Sequence, residues 1–447
     1  VQKLLQSMTK FFTNLMRRYL PDPFVFAIVL TFLTLVLGMA LQHKSAFQMV
    51  EYWGKGFWSL LAFTTQMATM LATGYVLARA PFVDKGVDII VKFAKTPRMA
   101  IAVATVVGGV GSYLNWGFGL IVGALVARRL ALSIKGIHYP LIMAAAYSGF
   151  VFYGSGFTGT IPILIATKGH PFEKTMGTIP LTDTIFSTPI LIMTLVLLVT
   201  LPIINAMSSP RNPKDIIELD PATVKDLQPA SAQKAYADQT FADKLNNSKL
   251  LSALMGLVGL GYLAFYFYGG GALDINMINF AIIFLGILCM GTPAKYIAAL
   301  SEGAKTVGGI ILQYPFYAGI MAMMGGSGLV NTMAQWFVSI SDAHTLPFWG
   351  LVSSFVINFF APSAGGHWVI QGPFMIEAAK TLGADMGKTA MSVMLGNAWN
   401  DLVQPFWLLP TLAISGLKLS DVMGYTVICM LWTTVVFSVG VLIWGYM

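Results

Sequence analysis

Asn115-Trp116-Gly117-Phe118-Gly119 cuts the apolar run 98–133 in two, and Pro362-Ser363-Ala364-Gly365-Gly366-His367 does the same to the run 345–382. Each run is long enough for two helices and carries a polar, glycine-rich tip in its middle. That is the pattern of a re-entrant hairpin, which enters and leaves a membrane on one side. Further along each half lies a second interruption: Gly154 to Thr160 inside 139–167, and Asn397 to Gln404 inside 388–417. In lipid, non-helical backbone is tolerated only where protein or a water-filled cavity satisfies its N–H and C=O groups. Breaks at corresponding positions of two halves are the sequence mark of a carrier's central binding site.

Composition agrees with a membrane setting. The 447 residues are 56% hydrophobic and only 10% charged, whereas globular domains carry about 25% charged residues. The two cysteines, Cys289 and Cys429, sit in apolar segments without metal-ligand spacing, which argues against a disulfide framework. An excess of 27 basic over 19 acidic residues needs no nucleic-acid partner, since cytoplasmic loops of membrane proteins collect lysine and arginine.

A spanning helix needs about 20 apolar residues. Full crossings are expected at 24–41, 56–79, 185–206, 249–268, 275–291, 307–324 and 421–446, with broken helices at 139–167 and 388–417. The expected fold class is therefore an all-α polytopic membrane protein. It is built as an inverted repeat with two re-entrant helical hairpins and two broken helices. Residues 1–20 read as an interfacial amphipathic helix and 21–206 as the first repeat. Residues 207–248 form a proline-containing cytoplasmic linker, 249–268 a connecting transmembrane helix, and 269–447 the second repeat. With the N-terminus in the cytoplasm, 21 of the 27 Lys and Arg fall inside and 6 outside, as the positive-inside rule requires.

Chemistry is expected where the breaks meet. Glycines let a backbone approach closely, and free N–H groups at helix starts attract anions. Asn115, Trp116 and Gly117 at the first tip, and Ser363, Gly365, Gly366, His367 and Gln371 at the second, are the candidate substrate-binding residues. Neither tip carries a cationic side chain, which favours a small monocarboxylate over a dicarboxylate. Ser155, Thr158, Asn397, Asn400 and Asp401 are the candidates for ion or proton coupling. Asp401 stands first among them, because an ionisable group at membrane depth is a functional candidate by default. No cofactor is expected; the coupling ion is H⁺ or Na⁺, and Na⁺ is the only metal considered. A hydrolytic motif such as His-Glu-x-x-His is absent from the sequence, so an enzyme is not expected. A cation/proton antiporter on the same scaffold is the alternative reading, with Asp401 as its ion site.

The runs LPDPFVFAIVLTFLT (20–34), GFWSLLAFTTQMA (56–68), NWGFGLIVGA (115–124), GILCMGTP (286–293), LQYPFYAGI (312–320), GGHWVIQGPF (365–374) and QPFWLLPTLAI (404–414) resemble the bacterial short-chain fatty acid transporter family, grouped with the ion-transporter superfamily. The resemblance covers nearly the whole chain. It implies uptake of acetoacetate, butyrate and related acids across the inner membrane. It also implies a homodimer, and a scaffold past which a transport unit slides in elevator fashion. Spans 24–41, 56–79, 275–291 and 307–324 would form that scaffold. Sodium-coupled dicarboxylate carriers of the superfamily use Ser-Asn-Thr at both tips. Here the tips read Asn115-Trp116-Gly117 and Pro362-Ser363-Ala364, so no sodium site carries over.

Overall fold

A computed structural model describes residues 23–210, 212–219 and 240–447. The expected interfacial helix at 1–20, and 220–239 of the linker, lie outside the described residues. All regular structure within them is helical, and no strand occurs there. The first half runs α1 (Pro23–Gln42), α2 (Ala46–Gly56), α3 (Leu61–Ala78), α4 (Pro81–Phe93), α5 (Pro97–Leu114), α6 (Trp116–Ser133) and α7 (Tyr139–Ser148). A 3₁₀ segment (Gly149–Ser155), α8 (Thr160–Ala166) and α9 (Thr188–Met207) complete it. After α10 (Lys249–Tyr268) the same succession returns. It comprises α11 (Ile275–Met290), α12 (Pro293–Ala304), α13 (Gly308–Ser327), α14 (Leu329–Ile340), α15 (Leu346–Ile357), α16 (Ala364–Leu382), α17 (Met386–Asp401), α18 (Pro405–Ser415) and α19 (Leu419–Tyr446).

Seven helices among the described residues are long and apolar enough to cross a membrane, and up to nine if each of two bent pairs is one span. The bent pairs are α2–α3, at 53°, and α12–α13, at 49°. They occupy corresponding places in the two halves. The expected spans 56–79 and 307–324 correspond to the second arm of each pair, and the first arms are additional. Ser45 starts α2 with a capping box closed by Gln48, which ends the connection from α1 early. Thr292 caps α12, with Pro293 at its first position. The amphipathic helices α4 and α14 are likewise additional. Both are too short and too polar on one face for the 20-residue test.

The helices pack in two groups. α13 lies against α1, α2 and α3, while α3 lies against α11 and α12. The second group contains both hairpins, both broken helices, α9 and α19. There α5 packs on α7 and α9, α15 on α17, and α19 on α7, α9 and α17. The groups meet where α3 touches α6 and where α13 touches α16, again at corresponding places.

Candidate functional site

Both hairpins turn at a polar residue that precedes the second arm, Asn115 and Ser363, and of the two Asn115 caps its helix through its side chain. Asn115 ends α5 and starts α6 with no intervening residue; its Oδ1 accepts from Phe118 N at 2.8 Å. Trp116 N donates to Thr158 Oγ1 at 3.0 Å, which ties the first tip to the first broken helix. The second tip is longer. α15 stops at Asn358, and α16 begins only after Ser363. Gly365, Gly366, His367 and Gln371 therefore belong to the first two turns of α16. A Cβ on Gly365 would lie 2.7 Å from Tyr314 Oη and 2.8 Å from Phe63, and one on Gly366 would overlap the Tyr317 ring. These glycines let α16 approach α13 and α3 closely. Ser363 Oγ and Tyr314 Oη share a hydrogen bond of 2.9 Å.

Between the tips lies a narrow cleft lined by Met67, Trp116, Phe150, Tyr153, Thr160, Ile310, Tyr314, Ser363, Ala364 and Trp407. Its free volume for the centre of a water molecule is about 20 Å³, room for about one water. The walls are aromatic and apolar. Trp116 and Trp407 stand edge to face, with ring centroids 5.4 Å apart, and Phe150 stacks on Tyr153 at 4.5 Å. No lining residue is charged. Buried donors without an acceptor collect here: the indole N–H of Trp116, that of Trp407, and Nδ2 of the neighbouring Asn115. Such donors are costly unless something accepts from them, and a carboxylate supplies acceptors only.

Behind Tyr153 is a polar cluster with no water exposure. Asp401, Asn358, Asn397, Asn400, His367 and Gln371 are each 0% exposed. Tyr153 Oη lies 2.7 Å from Asp401 Oδ2 and 2.6 Å from Asn397 Oδ1. Asn358 Nδ2 donates to Asp401 Oδ1 at 2.7 Å and to Asn400 Oδ1 at 3.0 Å. Tyr147 Oη donates to the Asp401 carbonyl. Asn397 Nδ2 donates to Asn358 Oδ1 and lies 3.3 Å from His367 Nδ1. His367 Nδ1 is thus an acceptor, and the ring's Nε2–H faces Gln371 Oε1. Gln371 Nε2 ends the chain on Ser353 Oγ at 2.9 Å. The three ion pairs among the described residues, such as Arg129–Asp88, are exposed and far from this chemistry in kind.

The expected residues thus fall into two neighbouring sets joined by Tyr153. Trp116 and Ser363 line the cleft, with Asn115 and Gly117 beside it. Asn397, Asn400, Asp401, His367 and Gln371 form the polar cluster behind. Thr158 serves the first tip rather than Asp401. Ser155 turns away and accepts from Thr194 Oγ1 of α9 at 2.9 Å. Tyr153, Asn358, Tyr314 and Trp407 complete the site without having been singled out in the sequence. For Asn358 a signal was available: each hairpin's first arm ends on an asparagine, Asn115 and Asn358.

The comparisons with known proteins agree in kind. Residues 4–444 match the family model described as short chain fatty acid transporter. An Escherichia coli protein provisionally named as a short-chain fatty acid transporter is 42% identical over 98% of this chain and 99% of its own length. A Haemophilus influenzae protein of the same name is 39% identical over 98% and 99%. Among solved structures, the Alcanivorax borkumensis YdaH transporter, described as having an unusual topology, superposes with a TM-score of 0.64. It is 14% identical, over 95% of this chain and 98% of that one, a likeness of fold alone. Matched along nearly its whole length, this multi-pass membrane chain belongs to the short-chain fatty acid transporter family.

Proposed function

We propose that the chain is a secondary active transporter that brings small monocarboxylates of the acetoacetate and butyrate class across the bacterial inner membrane, coupled to H⁺ or Na⁺. One observation carries this reading: the cleft between the two tips offers unpartnered N–H donors and aromatic walls but no cation. A single carboxylate can be held by N–H and O–H groups, and a short alkyl chain suits the apolar wall formed by Met67, Phe150 and Ile310. A second carboxylate would be stranded without a countercharge.

The carboxylate is assigned to the Trp116, Trp407 and Asn115 donors, with Ser363 Oγ and Tyr314 Oη beside them. Gly365 and Gly366 act by letting α16 dock. The repeat is inverted, with the N-terminus in the cytoplasm, as the distribution of basic residues favours. The group α1–α3 with α11–α13 is the scaffold and carries the homodimer contact. The hairpin-bearing group is the unit that slides, and the meeting of the groups at corresponding places, α3–α6 and α13–α16, supports that division. With a free volume of about one water, the cleft must widen to admit substrate, as alternating access requires.

Uptake of radiolabelled butyrate into proteoliposomes under imposed pH or sodium gradients tests the reading. Concentrative, saturable uptake above that of protein-free vesicles is expected. No transport of any short-chain acid under either gradient would overturn it.

A further inference from the structure

The hydrogen atoms around Tyr153 do not balance unless Asp401 carries one. Three oxygens stand in a row: Asn397 Oδ1, Tyr153 Oη and Asp401 Oδ2, separated by 2.6 and 2.7 Å. Both are O–H···O distances, and each contact needs a hydrogen. The phenol supplies one. An amide oxygen supplies none, and an ionised carboxylate supplies none. Turning the amides over does not help. Asn358 Nδ2 faces three oxygens, Asp401 Oδ1, Asn400 Oδ1 and the Asn397 carbonyl. Asn358 Oδ1 must therefore face Asn397, and Asn397 must present its NH₂ to it. Asn397 Oδ1 is then left pointing at Tyr153. The missing hydrogen can come only from the carboxyl group.

We infer that the coupling ion is H⁺, bound on Asp401 Oδ2, which donates to Tyr153 Oη while Tyr153 donates to Asn397 Oδ1. This rests on the transport reading and names its ion. The hydrogen-bonded spacing of the three oxygens leaves no gap between them for a cation, and Asp401 Oδ1 is already occupied by an amide donor. Tyr153 also lines the cleft, so the proton site and the substrate site share one side chain. The chemistry is a single O–H bond: it forms when a proton from bulk water reaches the carboxylate through the opened cleft, and it breaks on release to the other side. One monocarboxylate anion moving with one proton carries no net charge.

The other titratable groups around Asp401 are accounted for. Tyr147 and Tyr153 face it from the first broken helix, and His367 from α16 through Asn397. Glu377 and Lys380 lie further along α16, while α15 and α8 carry no titratable side chain. On α17 itself, Lys388 reaches Trp444 O near the opposite end. On α19, Asp421 accepts from Lys418 N, Tyr425 packs on His138, Cys429 donates to Asn205 and Tyr446 stacks on His344.

Infrared difference spectra of the purified full-length protein, wild type against Asp401→Asn at neutral pH, read the proton directly. A protonated-carboxyl stretch that vanishes in the variant, and shifts in Tyr153→Phe, is expected. Carboxylate bands in its place overturn the inference, whether or not the protein carries any substrate. In proteoliposomes, the initial rate of uptake above that of protein-free vesicles should follow the pH gradient, toward a limit of about tenfold accumulation per pH unit. It should not respond to an imposed potential of about 100 mV, which would change a one-charge process about 50-fold. In Asp401→Asn the ratio of gradient-driven uptake to exchange should fall at least tenfold. Accumulation that follows sodium at equal pH, or a ratio unchanged in the variant, overturns the inference. A wild-type protein that moves no short-chain acid refutes the transport reading instead and leaves the infrared result standing.

Discussion

Replacing Gly365 by alanine sets two effects of opposite sign against each other. Inside a helix, glycine to alanine is favourable by about 1 kcal/mol. Here the new methyl would lie 2.7 Å from Tyr314 Oη and 2.8 Å from the Phe63 ring. Carbon contacts relax near 3.5 Å, so both rings must retreat by roughly 0.7 Å. Tyr314 and Phe63 are 2% and 4% exposed and have little space to enter. Overpacking of this kind costs about 1–3 kcal/mol, and displacing Tyr314 from Ser363 adds about 1 kcal/mol. The net expectation is destabilisation by about 1–3 kcal/mol, the sum of those terms less the helical gain. Thermal unfolding of the detergent-solubilised protein should show a lower Tm. Gly261→Ala, whose methyl meets nothing within 4 Å, should leave Tm unchanged or raise it. The double variant Phe63→Ala with Gly365→Ala should be more stable than the two single effects add up to. If Gly365→Ala behaves like Gly261→Ala, the close docking of α16 on α3 and α13 is not as described.

Ser363→Ala removes one hydroxyl from the cleft and should raise KM for butyrate about three- to tenfold, the worth of one hydrogen bond; unchanged kinetics would sink the assignment of Ser363 to the carboxylate. Asn358→Ala leaves Asp401 Oδ1 and Asn400 Oδ1 without their partner and Asn397 Nδ2 with the His367 ring alone, and should destabilise by about 2–4 kcal/mol. A Tm within error of wild type would show that the cluster is not as dry or as connected as described. Outside the spans, His170 is held neutral in the 167–187 loop: its ring bonds Gly177 O at 2.9 Å, and Nδ1 accepts from Phe172 N. Burial pushes its titration below the ordinary histidine range. As pH falls through about 6.5 the unfolded loop takes up the proton first, so stability present at pH 7 and above is lost on acidification. Tm measured across that range should fall less in His170→Gln than in wild type, and an equal fall would refute the assignment.

The hairpins and broken helices were legible because their signal is local. A polar, glycine-rich interruption in an otherwise apolar run has few meanings in lipid, and the second arms do begin right after Asn115 and Ser363. The bent arms α2 and α12 were not legible, since a short amphipathic helix before a long span reads as connection when only hydropathy is scored. The site divided along the same line. Asp401, Asn397 and Asn400 announce themselves as polar groups within an apolar stretch. Tyr153, Tyr314 and Trp407 do not, because an aromatic side chain is as ordinary in a membrane core as in a binding wall. Their roles depend on which helices cross, and that is fixed by contacts between residues more than 200 positions apart, such as Tyr153 with Asp401.

The helix that carries Asp401 has a consequence for how the protein is made. α17 (Met386–Asp401) is not among the segments long and apolar enough to cross a membrane unaided. An aspartate at the centre of an isolated inserting helix costs about 2.5–3.5 kcal/mol, and Asn397 and Asn400 add to that. The carboxyl's partners are Asn358 from the preceding hairpin and Tyr153, the latter supplied, with Tyr147 on the Asp401 carbonyl, by a broken helix synthesised some 250 residues earlier. A Cβ on Gly154 would lie 2.7 Å from Ala398 Cβ, so the two broken helices meet with almost no space between them. The first half thus supplies part of the polar surface on which α17 settles. Insertion of this segment is then a folding event that depends on protein contacts, whereas α19, long and apolar enough to cross a membrane, can enter on hydrophobicity.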